Sequence, residues 1–223
     1  MVSTDEMPES GGVAERLVAA TTRLLAAHGS SGIKVRTVAA AAGVSTMAVY
    51  SHFGGVPELT QAVIEDGFRA LDTAFADVPF GDDPVADAAA LALTCRRIAH
   101  GNPHLYDLMF GLATRATYRP LICIDRPTTA TPGFGAAYAH VLGVCHRLVE
   151  SGRVGSHDPA VVAAQLWSLV HGFITLELAD TFAGADDPVR QVLMPLGVNF
   201  AVGLGDSREG ATLSHERAAR VWA

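Results

Sequence analysis

GVSTMAVYSHFGG, residues 43–55, gathers a Ser, a Thr, a Tyr and a His into one short run behind a glycine, in a chain otherwise rich in Ala, Leu and Val. The segments on either side of Gly43-Val44-Ser45 carry helical spacing and predict helices at 35–42 and 46–53. Three residues between two helices leave room only for a sharp turn, which is helix-turn-helix geometry. Gly43 is free to adopt positive φ and end the first helix, and Ala39 is small enough for a close crossing. Val44, Val49 and Phe53 supply the inward apolar contacts, and Ser45 is the natural N-cap of the second helix. With Val49 and Phe53 turned to the core, Met47, Ala48 and Ser51 point outward, flanked by Thr46, Tyr50 and His52.

These outward side chains suit a DNA groove. Ser and Thr hydroxyls donate or accept, Met47 and Ala48 can touch a thymine methyl, and Tyr50 and His52 can donate to phosphate oxygens. None carries a full charge, so the phosphate attraction is expected from Lys34, the chain's one lysine, and Arg36, with free N–H groups opening the next helix as a further anion site. The net charge of -7 excludes a surface that is basic throughout. Between residues 11 and 60, however, Arg16, Arg23, Lys34 and Arg36 outnumber Glu15 and Glu58.

Outward from this unit the chain reads as all-α. Residues 12–28 place Ala14, Leu17, Val18, Thr21, Leu24 and Leu25 on one helical face, with Gly29 as the stop. Further helices are expected near 57–77, 84–100, 103–112, 133–151, 159–179 and 188–204. Four of them open on an Asx-Pro pair, Asp83-Pro84, Asn102-Pro103, Asp158-Pro159 and Asp187-Pro188. There the Asx side chain caps free N–H groups, and proline occupies the first helical position, where its missing N–H costs nothing. The expected organisation is a flexible tail over 1–11, a DNA-binding unit with its connecting helix over 12–77, the linker VPFGDD, a helical domain over 84–205, and a frayed or partly helical tail over 206–223. A Thr/Pro/Arg-rich loop spans 113–132, and its Arg115, Arg119 and Arg126 either meet an anionic effector or are simply solvated.

At 49% hydrophobic and 17% charged residues the composition is that of a globular protein rather than a disordered one. The three cysteines are scattered, with no CxxC pair, which argues against a disulfide framework or zinc knuckle and fits a reducing cytoplasm. The acidic, polar start MVSTDEMPES lacks the pattern of a signal peptide. Residues 159–176 hold no formal charge, but Gln165, Ser168, His171 and Thr175 within them favour a buried helix over a membrane span.

Residues 14–77 resemble the N-terminal domain of TetR-family transcriptional regulators. The likeness is carried by "AERLVAATTRLLAAHG", "VRTVAAAAGVSTMAVYSHF" and "PELTQAVIEDGF". The resemblance implies an all-helical homodimer that binds a roughly palindromic operator and releases it when a small molecule enters the C-terminal domain. It places Arg36, Thr37, Ser45, Thr46, Met47, Ala48, Tyr50 and His52 at the DNA. The chain departs from the family in having Ile33-Lys34 where a Thr/Ser cap is frequent, Val56 where many members open the fourth helix with Lys, and Met47-Ala48 where Gly-Thr is common. Further along, "LWSLVHGFITLEL" and "NPHLYDLMF" resemble one C-terminal subclass with a Trp-His-Gly signature. The same resemblance implies dimerisation through helices 159–179 and 188–204.

Polar and soft residues on apolar helices are the candidate effector contacts: Tyr106, Met109, Cys145, Trp167 and His171. Each also has a plain reading as core packing, and His171 as a satisfied core histidine. His140, Cys145 and His146 lack the spacing of metal ligands, and the His100/His104 pair is split by the restart at Asn102-Pro103, so neither metal nor cofactor is expected. Two other classes remain open: a helical protein-interaction module, since this geometry alone does not prove DNA binding, and a cysteine-dependent enzyme.

Overall fold

The computed structural model describes residues 12–110 and 131–221, which form helices joined by short turns, with no strand among them. The chain divides into two compact units, residues 1–66 and 67–223.

In the first unit, α1 (Val13–His28) ends at Gly29, whose φ of 63° is one an L side chain rarely adopts. A short 3-10 turn, Ser30–Gly32, leads into α2 (Val35–Ala41) and α3 (Thr46–Phe53). Gly43 turns the chain at φ 65°, and the Ser45 hydroxyl accepts from Ala48 N at 3.3 Å, so the expected turn and cap both form. Leu17, Ala20, Val38, Ala39, Val49 and Leu59 are buried together, with Val18, Leu24, Val44 and Phe53 packed around them. At about 1.5–3 kcal/mol for each fully buried Leu or Val, this core supplies most of what holds so small a unit together.

α4 (Val56–Ala76) is one continuous helix that contributes to both units. Its buried stripe runs Leu59, Val63, Ile64, then Phe68, Leu71 and Phe75, at the spacing of a single helical face. The unit boundary therefore lies inside this helix, between Asp66 and Gly67, rather than in the VPFGDD linker. The reason is packing: the Phe68 ring meets Phe110 and Phe134, centroids 5.5 and 5.3 Å away, and Asp72 pairs with His140 at 2.9 Å.

The second unit adds α5 (Pro84–Gly101), α6 (Pro103–Phe110), α7 (Pro132–Glu150), α8 (Pro159–Leu178), α9 (Met194–Gly203) and α10 (Arg208–Val221). All four Asx residues cap as the sequence predicts: Asp83 accepts from Val85 N and Ala86 N, Asn102 from Leu105 N, Asp158 from Ala160 N and Asp187 from Arg190 N. The helix expected over 188–204 opens instead with a π-helical stretch, Val189–Leu193, in which Met194 N donates to Val189 O. Pro195 accounts for it, because its ring and missing N–H forbid a regular α-turn at that point, and the wider turn absorbs both.

The expected tail is ordered as α10, which packs on α5 and α9 through Ala211, Ser214, His215 and Ala218. An ion network pins it. Arg153 reaches Asp83 and Asp206, both at 2.6 Å, and the Ser214 hydroxyl donates to Asp83 at 2.8 Å. Burial pushes the Asp83 carboxyl up, but the hydrogen bonds from Ser214 and Ala86 N and the Arg153 charge outweigh it and hold it below its ordinary range.

α8 is long and apolar enough to cross a membrane by length and composition, with mean hydropathy 1.4, and 44% of it is buried within the chain. Across its buried side Glu177 takes a two-pronged contact from Arg96, 2.8 Å on each oxygen, and a third bond from His100 Nε2 at 2.8 Å. These bonds outweigh the cost of burial and keep the carboxyl ionised below its ordinary range.

Candidate nucleic-acid interface and effector cavity

α3 presents its outer face as the sequence predicts. Val49 is fully buried, while Met47 is 69% and Tyr50 51% exposed, and Thr46, Ser51 and His52 are exposed beside them. Ala48 is half-buried. Two of the hydroxyls serve the helix itself: Ser45 caps Ala48 N, and Ser51 donates to the Ala48 carbonyl at 3.2 Å. By contrast, the side chains of Lys34, Arg36, Thr37, Thr46, Tyr50 and His52 have no hydrogen bond or ion pair among the described residues. Lys34 stands at the N-cap position of α2 without a side-chain cap, and Arg36 and Thr37 are exposed on its first turn. Donors and cations thus lie on a short, rigid two-helix scaffold, free for an outside partner.

In the second unit two of the effector candidates, Tyr106 and Trp167, converge on a third, His171 of α8. The Tyr106 hydroxyl lies 2.5 Å from His171 Nδ1, and the two rings stack with centroids 5.6 Å apart. Trp167, one turn earlier on α8, and Phe110 of α6 each bring a ring centroid to 4.2 Å from the imidazole. Phe134 and Tyr138 of α7 close the cluster against Trp167, at 5.8 and 5.3 Å. Phe75, Cys95, Val141, Leu166, Trp167 and His171 border a cavity of about 20 Å³ beside it.

Burial pushes the His171 pKa down to about 3 and raises that of Tyr106, so both groups are neutral near pH 7. A neutral phenol with this single partner donates its proton, which leaves Nδ1 as the acceptor and puts the imidazole hydrogen on Nε2. Nε2 is buried and has no partner among the described residues. An unpaired buried donor costs about 1–3 kcal/mol, so the site offers one polar group that an incoming acceptor would satisfy.

Met109 lies one turn from Tyr106 on α6 and packs on Gly67 of α4, where an added Cβ would come 2.7 Å from its sulfur. Cys145 is buried on α7 but does not border the cavity, and burial pushes its thiol up to about 12. Cys95, which the sequence reading passed over, does border it, as an equally unreactive thiol at about 12. Phe110 was also passed over, although it closes the NPHLYDLMF segment, since one more aromatic residue on an apolar helix reads as ordinary core. Arg115, Arg119 and Arg126 lie outside the described residues.

Two family descriptions match: "Bacterial regulatory proteins, tetR family" over residues 17–63 and "Tetracyclin repressor-like, C-terminal domain" over residues 88–194. No curated protein sequence matches the chain significantly. Among solved structures, a protein of unknown function from Rhodococcus sp. RHA1 is 26% identical with a TM-score of 0.70, covering 90% of this chain and 100% of its own. RolR in complex with resorcinol is 18% identical with a TM-score of 0.60, covering 92% of this chain and 93% of its own. A proposed tetR family transcription regulator from Shewanella sp. PV-4 is 16% identical with a TM-score of 0.53, covering 87% and 97%. A helix-turn-helix with an exposed polar face, joined to a helical domain and matched by the family descriptions over both parts, makes this chain a member of the TetR family of transcriptional regulators.

Proposed function

We propose that the chain is a cytoplasmic, ligand-responsive repressor, without catalytic activity, that binds a roughly palindromic DNA operator as a homodimer. The observation that carries the reading is the set of unengaged donors and cations on α2 and α3: Lys34, Arg36, Thr37, Thr46, Tyr50 and His52. Met47 and Ala48 read base edges. Tyr50, His52, Lys34 and Arg36 hold the phosphates, and Ser45 and Ser51 set the helix end and its face. A C2 pair presents two such helices to two half-sites. The dimer forms through α8 and the 188–204 region; the half-buried, apolar α8 and the exposed Leu176 and Leu196 support this.

The effector is an uncharged small molecule whose acceptor group meets His171 Nε2 among Tyr106, Phe110 and Trp167. Among the described residues no charged side chain borders the cavity, so an ion held by them alone would be desolvated without a counter-charge. A structural relative, RolR, has been solved with resorcinol as ligand, which is consistent with a small-molecule effector here. Met109 relays occupancy to α4 at Gly67, and α4 carries it towards the reading helices.

Selection of duplexes from a random-sequence pool at two salt concentrations, with Arg36→Ala in parallel, tests the proposal. Enrichment of an inverted repeat by the wild type and not by the variant supports it, with affinity falling steeply as salt rises. Failure to enrich any sequence, with or without a library of uncharged aromatic compounds, would move the chain to a protein-interaction role.

A further inference from the structure

α3 lacks every side chain that distinguishes bases by paired hydrogen bonds. In the major groove guanine is read by Arg or Lys, adenine by Asn or Gln and cytosine by Asp or Glu, and none of these occurs in the TMAVYSHF of α3. A helix docked there reaches base edges with its N-terminal residues, which in α3 are Thr46, Met47 and Ala48, with Tyr50 and His52 a turn or more beyond Thr46. The Thr46 hydroxyl pairs with donors and acceptors alike and so selects little. The Ser51 hydrogen is committed to the Ala48 carbonyl, 3.2 Å away, and Lys34 and Arg36 stand at the start of α2. What remains is apolar. Met47, 69% exposed, is the most exposed large hydrophobic side chain among the described residues, and Ala48 lies half-buried beside it. Both are carried on a backbone fixed by the Ser45 cap, the buried Val49 and the left-handed Gly54 at the far end.

The one apolar group on the major-groove edge of a standard base pair is the C5 methyl of thymine. Met47 suits it, as an unbranched, polarizable thioether that adapts to an irregular surface. 5-Methylcytosine holds the same methyl on the same ring carbon. Its amino group replaces the thymine carbonyl at an edge that α3 has no carboxylate or amide to test. Resting on the DNA-binding reading of α3, we propose that the operator is selected through pyrimidine 5-methyl groups packed against Met47 and Ala48. A 5-methylcytosine–guanine pair then substitutes for thymine–adenine, where unmethylated cytosine–guanine does not. Cytosine methylation at such a position therefore creates a binding site for this chain instead of blocking one.

The probes are duplexes enriched from a random-sequence pool by the full-length protein, resynthesised with single thymines replaced by uracil, which removes only the methyl group. At each thymine where this weakens binding, the pair is also replaced by cytosine–guanine and by 5-methylcytosine–guanine, which differ from each other only in the methyl. Uracil is expected to weaken binding about fourfold, the worth of one buried methyl group, and roughly fifteenfold when both half-sites are changed. The 5-methylcytosine duplex is expected to bind better than its cytosine counterpart by a similar factor. In Met47→Ala the difference between thymine and uracil vanishes at one or more of these positions, whereas Tyr50→Phe, weakened on every duplex, keeps it. An enriched duplex whose affinity uracil leaves unmoved at every thymine overturns the inference while the DNA-binding reading stands; enrichment of no duplex overturns both. A 5-methylcytosine duplex that binds no better than the cytosine one, or uracil sensitivity unchanged at every position in Met47→Ala, also overturns the inference.

Discussion

Removing one oxygen, by Tyr106→Phe, tests whether the phenol sets the state of His171. The change keeps the ring that stacks on the imidazole and packs on Phe110, so little volume is lost. What disappears is the bond of 2.5 Å to Nδ1, leaving both imidazole nitrogens unpaired in a buried site where only Nε2 was unpaired before. One additional unsatisfied buried group costs about 1–3 kcal/mol, offset in part because the phenol no longer has to be desolvated. For a chain of this length about 1 kcal/mol corresponds to roughly 2–4 °C in Tm, so calorimetry should record a fall of several degrees. The same loss frees the imidazole to place its hydrogen on either nitrogen, so an acceptor-bearing effector binds more weakly as well. Combining the change with His171→Phe removes both partners at once, and the double variant should recover about 1 kcal/mol relative to the sum of the single changes. Additive effects in this cycle, or an unchanged Tm for Tyr106→Phe, would refute the assigned hydrogen bond.

Stability should rise with pH between about 3 and 6.5 on account of His171. Its folded pKa lies near 3, so over that range the unfolded chain binds the proton the folded chain refuses, and His171→Phe should flatten the slope in urea titrations. Asp83 and Glu177, held below their ordinary values, add stability that is present above the usual carboxylate range and lost as pH falls through it. On DNA, Tyr50→Phe should weaken all duplexes alike, whereas Met47→Ala should change the preferred sequence in a competition assay; the reverse pattern would exchange their assigned roles. Gly67→Leu drives a side chain into Met109, so operator affinity measured by fluorescence anisotropy should change without any effector; an unaltered affinity would break the proposed relay from α6 to α4.

The helix-turn-helix unit was legible because each signal in it is local. Gly43, Ser45 and the Val49/Phe53 spacing act within one or two turns of the chain, and their turn, cap and buried face all form as written. The four Asx-Pro caps were legible for the same reason. α10 read only as a frayed or partly helical tail because its buried stripe, Ala211, Ser214, His215 and Ala218, has helical spacing but uses small and polar residues, so hydrophobic periodicity gave little signal. Its burial depends on Arg153, Asp83 and Asp206, which are distant in sequence and whose pairing is a tertiary fact.

The candidate effector site divides along the same line. Tyr106, Trp167 and His171 could be named from residue type, since a polar atom on an apolar helix must find a partner. That Tyr106 is the partner of His171, and leaves Nε2 without one, follows from bringing together residues 65 positions apart. Helix ends, turns and exposed faces are set by neighbours along the chain and are written there; which lone pair or N–H faces a cavity is set by what packs against it from elsewhere in the fold.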